Sequence, residues 1–465
     1  MQKNRLLTRY IGDKTFYKLV FALALPLILQ NAVSTFVNLL DNVMVGQTGT
    51  EPMSGVSIVN QLIFVYNLCL FGGVSGAGIF AAQFFGSGSR EGVRNCLRFN
   101  IILTLLFTAL AIMLFTFFDE QLIRLFLHGE NVDALESTLR YGRSYLRAML
   151  WGFIPFAVTN SYTSILRVTG DAALPMKAGI AALLVNLFGN WLLIFGNWGF
   201  PALGVVGAAI ATVISRYVET LLIMLTVHRH PGRYSFAGDL WRSLRVPREL
   251  TGMIIRKGLP LLYNELFWSM GITALTQCYS VRGLTAVAAL NINSVVLNLF
   301  NVVMLTMGNC AGIILGNVLG AGDFERAKSY SPKLVALSIT SAALTGALFA
   351  LCAPMVPQFY NTTEAVRQLA TQLMLVCAAC LPLHAISNVS YFTLRSGGRT
   401  LITILFDSGY TWLIAVPVAW LLIHFTALPL ITVYIAVNAL DILKAGAGLV
   451  LVGRGVWLRN IVDGE

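Results

Sequence analysis

Four polar residues in apolar runs of the first half of the chain have side chains that could together bind a cation or a proton. They are Asp41, Asn186, Asn190 and Thr212. At about 1.5 Å of rise per residue, helices place all four roughly 14 to 22 Å from one end of their segments. Carboxylate, amide and hydroxyl oxygens at one depth suit a hard cation such as sodium, or a carboxyl group that carries a proton. The alternative is a hydrogen-bond cluster that only joins helices.

Two acids and a histidine form a second candidate group in the other half. Glu265 and Asp407 each lie about 12 Å, and His384 about 16 Å, from the corresponding end of an apolar run. An ionisable side chain at membrane depth costs at least about 2.5 to 3.5 kcal/mol, so each needs a partner or a function. Lys444 is the one basic residue at this level, which predicts a negatively charged cavity that favours cationic substrates or exchanges protons. His384 taken alone could equally be a packing histidine.

Two pairs of opposite charges also occur inside apolar runs. Arg216 and Glu219, and Asp441 and Lys444, are each three residues apart, which makes them neighbours on one helix face. We predict local ion pairs with mainly structural roles, and coupling to transport as the alternative.

Membrane-spanning helices must position these residues. Of the 465 residues, 57% are apolar and only 11% are charged, unlike a soluble domain, in which about 25% are charged. About 20 apolar residues span the hydrocarbon layer as a helix. We therefore predict an all-α membrane protein with twelve spans, at 16–45, 53–85, 99–118, 141–166, 173–195, 203–227, 258–281, 287–319, 333–353, 368–394, 400–423 and 428–452. Segment 119–140, with its interspersed acids, is expected to form a helix that lies along the external surface of the same membrane.

Basic residues predict the orientation and the division of the chain. Seven lysine and arginine residues lie in segment 228–257. Together with both termini and the alternate loops it carries 23 such residues, whereas the intervening loops carry 4. The positive-inside rule therefore places both termini and this segment in the cytoplasm. We predict an N-lobe at 1–227, a flexible basic linker at 228–257 and a C-lobe at 258–465.

An internal repeat relates the two halves. Because each half has six predicted spans, both begin on the same side, and rocking of one half against the other would give alternating access. Three motifs recur in order: Leu25-Pro26-Leu27 at Leu259-Pro260-Leu261, Gly86-Ser-Gly88 at Gly320-Ala-Gly322, and Leu166-Arg167-x-x-Gly170 at Leu394-Arg395-x-x-Gly398.

Several motifs together resemble the multidrug and toxic compound extrusion (MATE) family, part of a wider superfamily that includes oligosaccharidyl-lipid and polysaccharide flippases. The resemblance covers essentially the whole chain. It rests on Asn38-x-x-Asp41-x-x-Met44-Val45-Gly46, Gly86-Ser-Gly88, Leu166-Arg167-x-x-Gly170, Gly204-x-x-Gly207-Ala-Ala-x-Ala-Thr212, Asn264-Glu265 and Leu394-Arg395-x-Gly-Gly398.

The resemblance implies two six-helix lobes around a V-shaped cleft and export driven by an inward proton or sodium gradient. It implies a coupling-ion site, sodium included, at Asp41, Asn186, Asn190 and Thr212. It also implies a bend of the first helix at Pro26. Glu265 matches the family's acid in the seventh helix, and His384 and Asp407 are further C-lobe candidates for coupling or substrate binding.

The sequence departs from the family at two positions. Asn190 stands where many members have an acid, and His384 stands where some do. With Asp41 as the one acid of the N-lobe group, we favour proton coupling over sodium.

The expected activity is export of amphipathic organic cations by a gradient-driven antiporter. It needs no cofactor and no nucleic acid, and we expect a monomer in the bacterial inner membrane. A lipid-linked oligosaccharide flippase, or an exporter of an endogenous metabolite, is the alternative, although the anionic cargo of a flippase calls for basic residues in the cavity. An enzyme is disfavoured because the chain has no nucleophile with its base and no HExxH motif. The sequence has no GxxxxGK[ST] loop for ATP, so transport is expected to be driven by a gradient or by a separate ATPase.

Overall fold

The computed structural model describes residues 9–127 and 132–462, in which every regular element is a helix. The α-helices are α1 (Lys14–Gly46), α2 (Thr50–Gly86), α3 (Arg90–Phe117), α4 (Asp119–Arg124), α5 (Val132–Met149), α6 (Phe153–Val168), α7 (Ala173–Phe195), α8 (Val205–Arg229), α9 (Arg248–Ser280), α10 (Leu284–Gly320), α11 (Phe324–Cys352), α12 (Glu364–Ser396), α13 (Thr400–Ile404), α14 (Val416–Phe425), α15 (Leu430–Ala439) and α16 (Asp441–Gly453). Two π-helical segments, π1 (Leu405–Gly409) and π2 (Thr411–Ala415), lie between α13 and α14.

Ten helical segments within the described residues are long and apolar enough to cross a membrane. The predicted fourth and seventh spans are not among them. The fourth is divided into α5 and α6 by a single 3₁₀ turn, and the seventh, which contains Glu265, lies in α9 as far as Ser280. The all-α membrane fold is therefore confirmed, and helices occupy all twelve predicted positions.

The chain divides into two compact units. Of the described residues, 29–81, 90–127 and 132–254 form the N-terminal unit, and 9–28, 82–89 and 255–462 form the C-terminal unit. The helices α1, α2 and α9 each run from one unit into the other. Pro26 lies two residues before the point at which α1 enters the N-terminal unit. Its ring nitrogen cannot donate to the carbonyl of Ala22, which weakens the helix beside this boundary. The sequence-based division at 228–257 stays a prediction.

The linker is packed against the N-terminal unit. Arg94 Nε donates to the carbonyl of Phe236 at 3.2 Å, and Arg98 Nη2 donates to that of Asp239 at 2.7 Å. The Phe236 side chain is buried, and α9 already begins at Arg248, inside the predicted linker. Tyr234 and Leu240 are also buried, whereas Trp241 and Leu244 are exposed, so the described linker is anchored over its middle part. Its flexibility stays a prediction.

The segment predicted to lie on the outer surface folds as α4 and the first half of α5, joined by ion pairs. The buried carboxylate of Asp119 accepts hydrogen bonds from Arg143 Nε at 3.0 Å and from Arg147 Nε at 3.2 Å. Burial alone would raise the pKa of Asp119, but the hydrogen bond from Arg143 and the two positive charges outweigh it and hold that pKa below its usual value. Residues 128–131 of this segment lie outside the described part of the chain.

Candidate cation sites in the two units

In the N-terminal unit, the four predicted residues form one hydrogen-bonded chain across α1, α7 and α8. Asn190 Nδ2 donates to Asp41 Oδ1 at 2.5 Å and lies 3.4 Å from Asn186 Oδ1. Asn186 Nδ2 in turn donates to Thr212 Oγ1 at 3.1 Å. Both asparagines are buried on one face of α7, as their spacing of four residues requires. The structure thus brings together all four residues of the first candidate group.

Small residues allow α7 and α8 to approach each other beside this chain. A Cβ atom added to Gly189 would lie 2.9 Å from Ala211 Cβ, and one added to Gly207 would lie 2.4 Å from the Leu193 carbonyl oxygen. Such close helix contacts are typical of membrane proteins, in which polar side chains then bond across the interface. A larger residue at position 189 would move Asn190 away from its partner on α1.

The chemistry of these donors fits a small cation or a proton. The Oδ1 atom of Asn190 is buried and has no hydrogen-bond partner among the described residues, which leaves an acceptor next to a carboxylate. Arg216 acts on the Asp41 carboxylate from α8, and its guanidinium lies 4.2 Å from the ring centroid of Phe156. Its predicted ion pair with Glu219 is confirmed at 3.8 Å. The partly exposed Arg216 is therefore shared by two acids, Asp41 and Glu219.

In the C-terminal unit, Asp407 is held by two helices. Lys444 Nζ on α16 donates to Asp407 Oδ1 at 2.7 Å, and Asn264 Nδ2 on α9 donates to Oδ2 at 3.0 Å. Ser408 Oγ donates to Asn264 Oδ1 at 2.8 Å, which fixes the orientation of that amide. Asp407 lies within π1, where the extra residue per turn redirects side chains relative to an α-helix, a feature often found at functional sites.

Glu265 lies beside this group without contacting Asp407 directly. Tyr391 Oη donates to Glu265 Oε1 at 3.4 Å, and Asn264 Nδ2 lies 3.4 Å from the same tyrosine oxygen. Arg395, one turn from Tyr391 on α12, acts electrostatically on Glu265. Glu265 and Asp407 are therefore linked through Asn264 and Tyr391, which the sequence did not single out as site residues.

The histidine of the second group pairs with a different acid. His384 Nε2 lies 2.8 Å from Asp441 Oδ2. The predicted ion pair between Asp441 and Lys444 is wrong, because Lys444 extends instead to Asp407 on π1. The spacing of three residues correctly made Asp441 and Lys444 neighbours on one helix face. It could not show that His384 and Asp407 approach them from other helical segments.

No group of three or more His, Cys, Asp or Glu side chains that could hold a metal ion occurs within residues 9–127 and 132–462.

Comparison with known proteins agrees with this arrangement of helices. The family model MatE matches residues 26–192 and 261–421, and the chain therefore belongs to the MatE family of multidrug efflux transporters. The chain is 25% identical over 435 residues to the probable multidrug resistance protein YoeA of Bacillus subtilis, with 93% of each chain covered. It is 24% identical over 450 residues to the probable multidrug resistance protein NorM of Thermotoga maritima, with 96% of this chain and 94% of that one covered.

The fold is similar to that of a solved MOP superfamily transporter from Pyrococcus furiosus. The TM-score is 0.84 at 21% identity, and 97% of each chain is covered.

Proposed function

We propose that this chain exports amphipathic organic cations across the bacterial inner membrane, as a monomeric antiporter driven by protons or sodium, by alternating access of its two halves. The observation that carries the proposal is that acids lie within apolar helices of both units, each with a specific polar partner. Acids at such depth are costly and are retained for ion or substrate pathways. Relatives named as multidrug resistance proteins support export of drug-like substrates.

The contacts of Asp41 support protons as the coupling ion. At the closest contacts the two asparagines direct amide hydrogens, not oxygens, toward Asp41 and Thr212. A sodium ion would need these amides turned so that their oxygens surround it, and one carboxylate offers little charge to offset its dehydration. A carboxyl group that exchanges a proton needs no such rearrangement. The unpartnered Oδ1 of Asn190 is the feature that favours sodium, the second candidate.

Preference for cations is proposed from the acids of the C-terminal unit. Glu265, Asp407 and Asp441 outnumber the lysine and arginine that act on them, and aromatic rings lie beside Asp407. Carboxylates next to aromatic faces attract organic ammonium groups.

Efflux from proteoliposomes under separately imposed gradients tests the proposal. With pH clamped on both sides, an inward sodium gradient should not drive efflux of ethidium, whereas an inward proton gradient without sodium should. Robust sodium-driven efflux at clamped pH would show that sodium, and not the proton, is the coupling ion. Failure of both gradients to drive efflux of cationic dyes would overturn antiport of organic cations.

A further inference from the structure

The ammonium group of Lys444 lies where an organic cation could bind, between a carboxylate and two aromatic rings. Its ammonium forms the ion pair with Asp407 at 2.7 Å and lies 5.7 Å and 5.3 Å from the ring centroids of Phe406 and Tyr410. A carboxylate with two aromatic faces within about 6 Å is the environment in which proteins bind organic ammonium ions. The side chains of Lys444 and Asp407 are 15% and 18% exposed, so this position is largely desolvated but not closed.

A second acid lies within reach of the same lysine. Asp441 is three residues before Lys444 on α16, a spacing that places Cβ atoms about 5 to 6 Å apart on one helix face. The flexible four-carbon stem of lysine allows its ammonium to turn from one carboxylate to the other. Asp441 is at present engaged by His384, at 2.8 Å. Two acids therefore share one lysine and one histidine.

Several other ionisable groups face this cluster. Their charges or hydrogen bonds act on Glu265, Asp407 or Asp441, directly or through a shared neighbour, and none of them offers Asp441 a positive charge as close as His384 or Lys444. They are Glu265 and Tyr279 on α9, Cys377, Cys380, Tyr391 and Arg395 on α12, and Tyr410 between π1 and π2.

We propose that Asp407 with Phe406 and Tyr410 is a binding site for organic ammonium ions, that Lys444 is its tethered competitor, and that a proton on His384 decides which of them occupies it. A protonated His384 neutralises Asp441, so Lys444 stays on Asp407 and excludes the substrate. When His384 loses its proton, Asp441 needs another positive charge, Lys444 turns to it, and Asp407 is open to a cation.

The exchange conserves charge inside the unit. One proton leaves His384 for each organic cation that binds at Asp407, so neither acid is left without a counter-charge in the low-dielectric interior, where a bare charge is costly. Proton and substrate therefore bind in mutually exclusive states, and each weakens the other by the same factor. Mutual exclusion is what an antiporter requires. The inference rests on the proposed function and assigns its competition step to Lys444.

Binding of ethidium to the purified full-length protein tests this exchange. Ethidium carries a permanent charge, so a change in its binding between about pH 5 and about pH 8 comes from the protein. Wild type should bind ethidium about tenfold more tightly at the higher pH. Lys444→Met, which removes the competitor, should bind tightly at both pH values. Asp441→Asn removes the alternative partner of Lys444 and should bind weakly at both.

Two variants and a control complete the test. His384→Gln should bind ethidium at both pH values as tightly as wild type does at the higher pH. If Lys444→Met does not fold, His384→Gln and Asp441→Asn test the exchange without it. Lys328→Met, an exposed lysine of the same unit, should keep the wild-type pH dependence. A wild-type pH dependence in Lys444→Met, or tight binding by Asp441→Asn, would overturn the exchange. Asp407→Asn should lose binding at both pH values. Full binding by that variant would overturn this site, whereas failed transport under both gradients overturns antiport itself.

Discussion

At the scale of the residue, Asp41 is the one acid in the hydrogen-bonded chain of the N-terminal unit. In Asp41→Asn the new amide oxygen can still accept from Asn190 Nδ2, so volume and hydrogen bond are retained while the exchangeable charge is lost. We expect normal membrane insertion but no gradient-driven efflux of ethidium. Asp133→Asn, an exposed acid at the start of α5, is the matched control and should transport normally. Wild-type efflux by a well-expressed Asp41→Asn protein would contradict the assignment.

Glu265 gives a second prediction at this scale. Glu265→Gln keeps an oxygen for Tyr391 Oη but removes a negative charge beside the Asp407 group. Efflux of cationic dyes should fall more than efflux of neutral dyes, because attraction for the positive charge is lost. The comparison uses initial efflux rates of both dye classes, with Glu249→Gln, an exposed acid on the same helix, as control. Equal losses for both classes would argue against a role in cation recognition.

The two sites differed in how far the sequence could predict them. Asn186 and Asn190 are four residues apart on one helix, so their shared face followed from the period of the α-helix, and depth then pointed to Asp41 and Thr212. The pairing of Lys444 with Asp407 joins residues 37 apart through a π-helical turn. Neither hydropathy nor local spacing encodes that turn, so a local partner was predicted instead.

At the scale of the element, hydropathy located the helices better than their ends. α9 begins at Arg248, ten residues before the predicted span, because backbone hydrogen bonding continues beyond the apolar layer that hydropathy detects. The predicted fourth span contains a 3₁₀ turn at Leu150–Gly152. Pro155 accounts for it, because its ring nitrogen cannot donate to the carbonyl of Trp151, which lies within this turn.

The ion pairs between α4 and α5 give a prediction about pH. The pKa of Asp119 is lowered in the folded protein, so its ion pairs stabilise the fold above the ordinary aspartate pKa of about 3.9 and lose that effect as pH falls below it. Asp119→Asn should therefore be less stable than wild type at neutral pH by about 1 to 2 kcal/mol. The difference in thermal unfolding temperature should shrink toward zero in strong acid.

A matched control for this prediction lies in the same ion-pair network. Glu136 pairs with Arg124 at 3.2 Å, but its side chain is 64% exposed. Glu136→Gln should therefore change the unfolding temperature little at any pH. An equal loss of stability in both variants, or a difference for Asp119→Asn that persists at low pH, would show that its charge is not what holds α4 to α5.

At the scale of the whole molecule, the described residues 9–28 and 82–89 belong to the same compact unit as residues 255–462. The Phe16 ring packs edge to face on Tyr330 with centroids 5.1 Å apart. Gln83 Nε2 donates to the Ser396 carbonyl at 2.9 Å, and its Oε1 accepts from the Ile461 backbone N–H at 2.7 Å. A Cβ atom added to Gly320 would lie 1.9 Å from the carbonyl oxygen of Gln83, so only glycine fits at this contact. The chain before the linker is thus built into the unit that follows it.

This architecture predicts the outcome of cutting the linker. With a protease site inserted beside Pro231, cleavage should leave the two fragments associated and partly active, because Phe16 and Gln83 on the first fragment still pack within the C-terminal unit. Co-purification through a tag on one fragment in mild detergent, followed by reconstitution and efflux assays, measures both properties. Gln83→Ala should weaken the association only after cleavage, since the intact chain holds the parts together covalently. Complete separation of the wild-type fragments in mild detergent would show that the linker, not this packing, joins the halves.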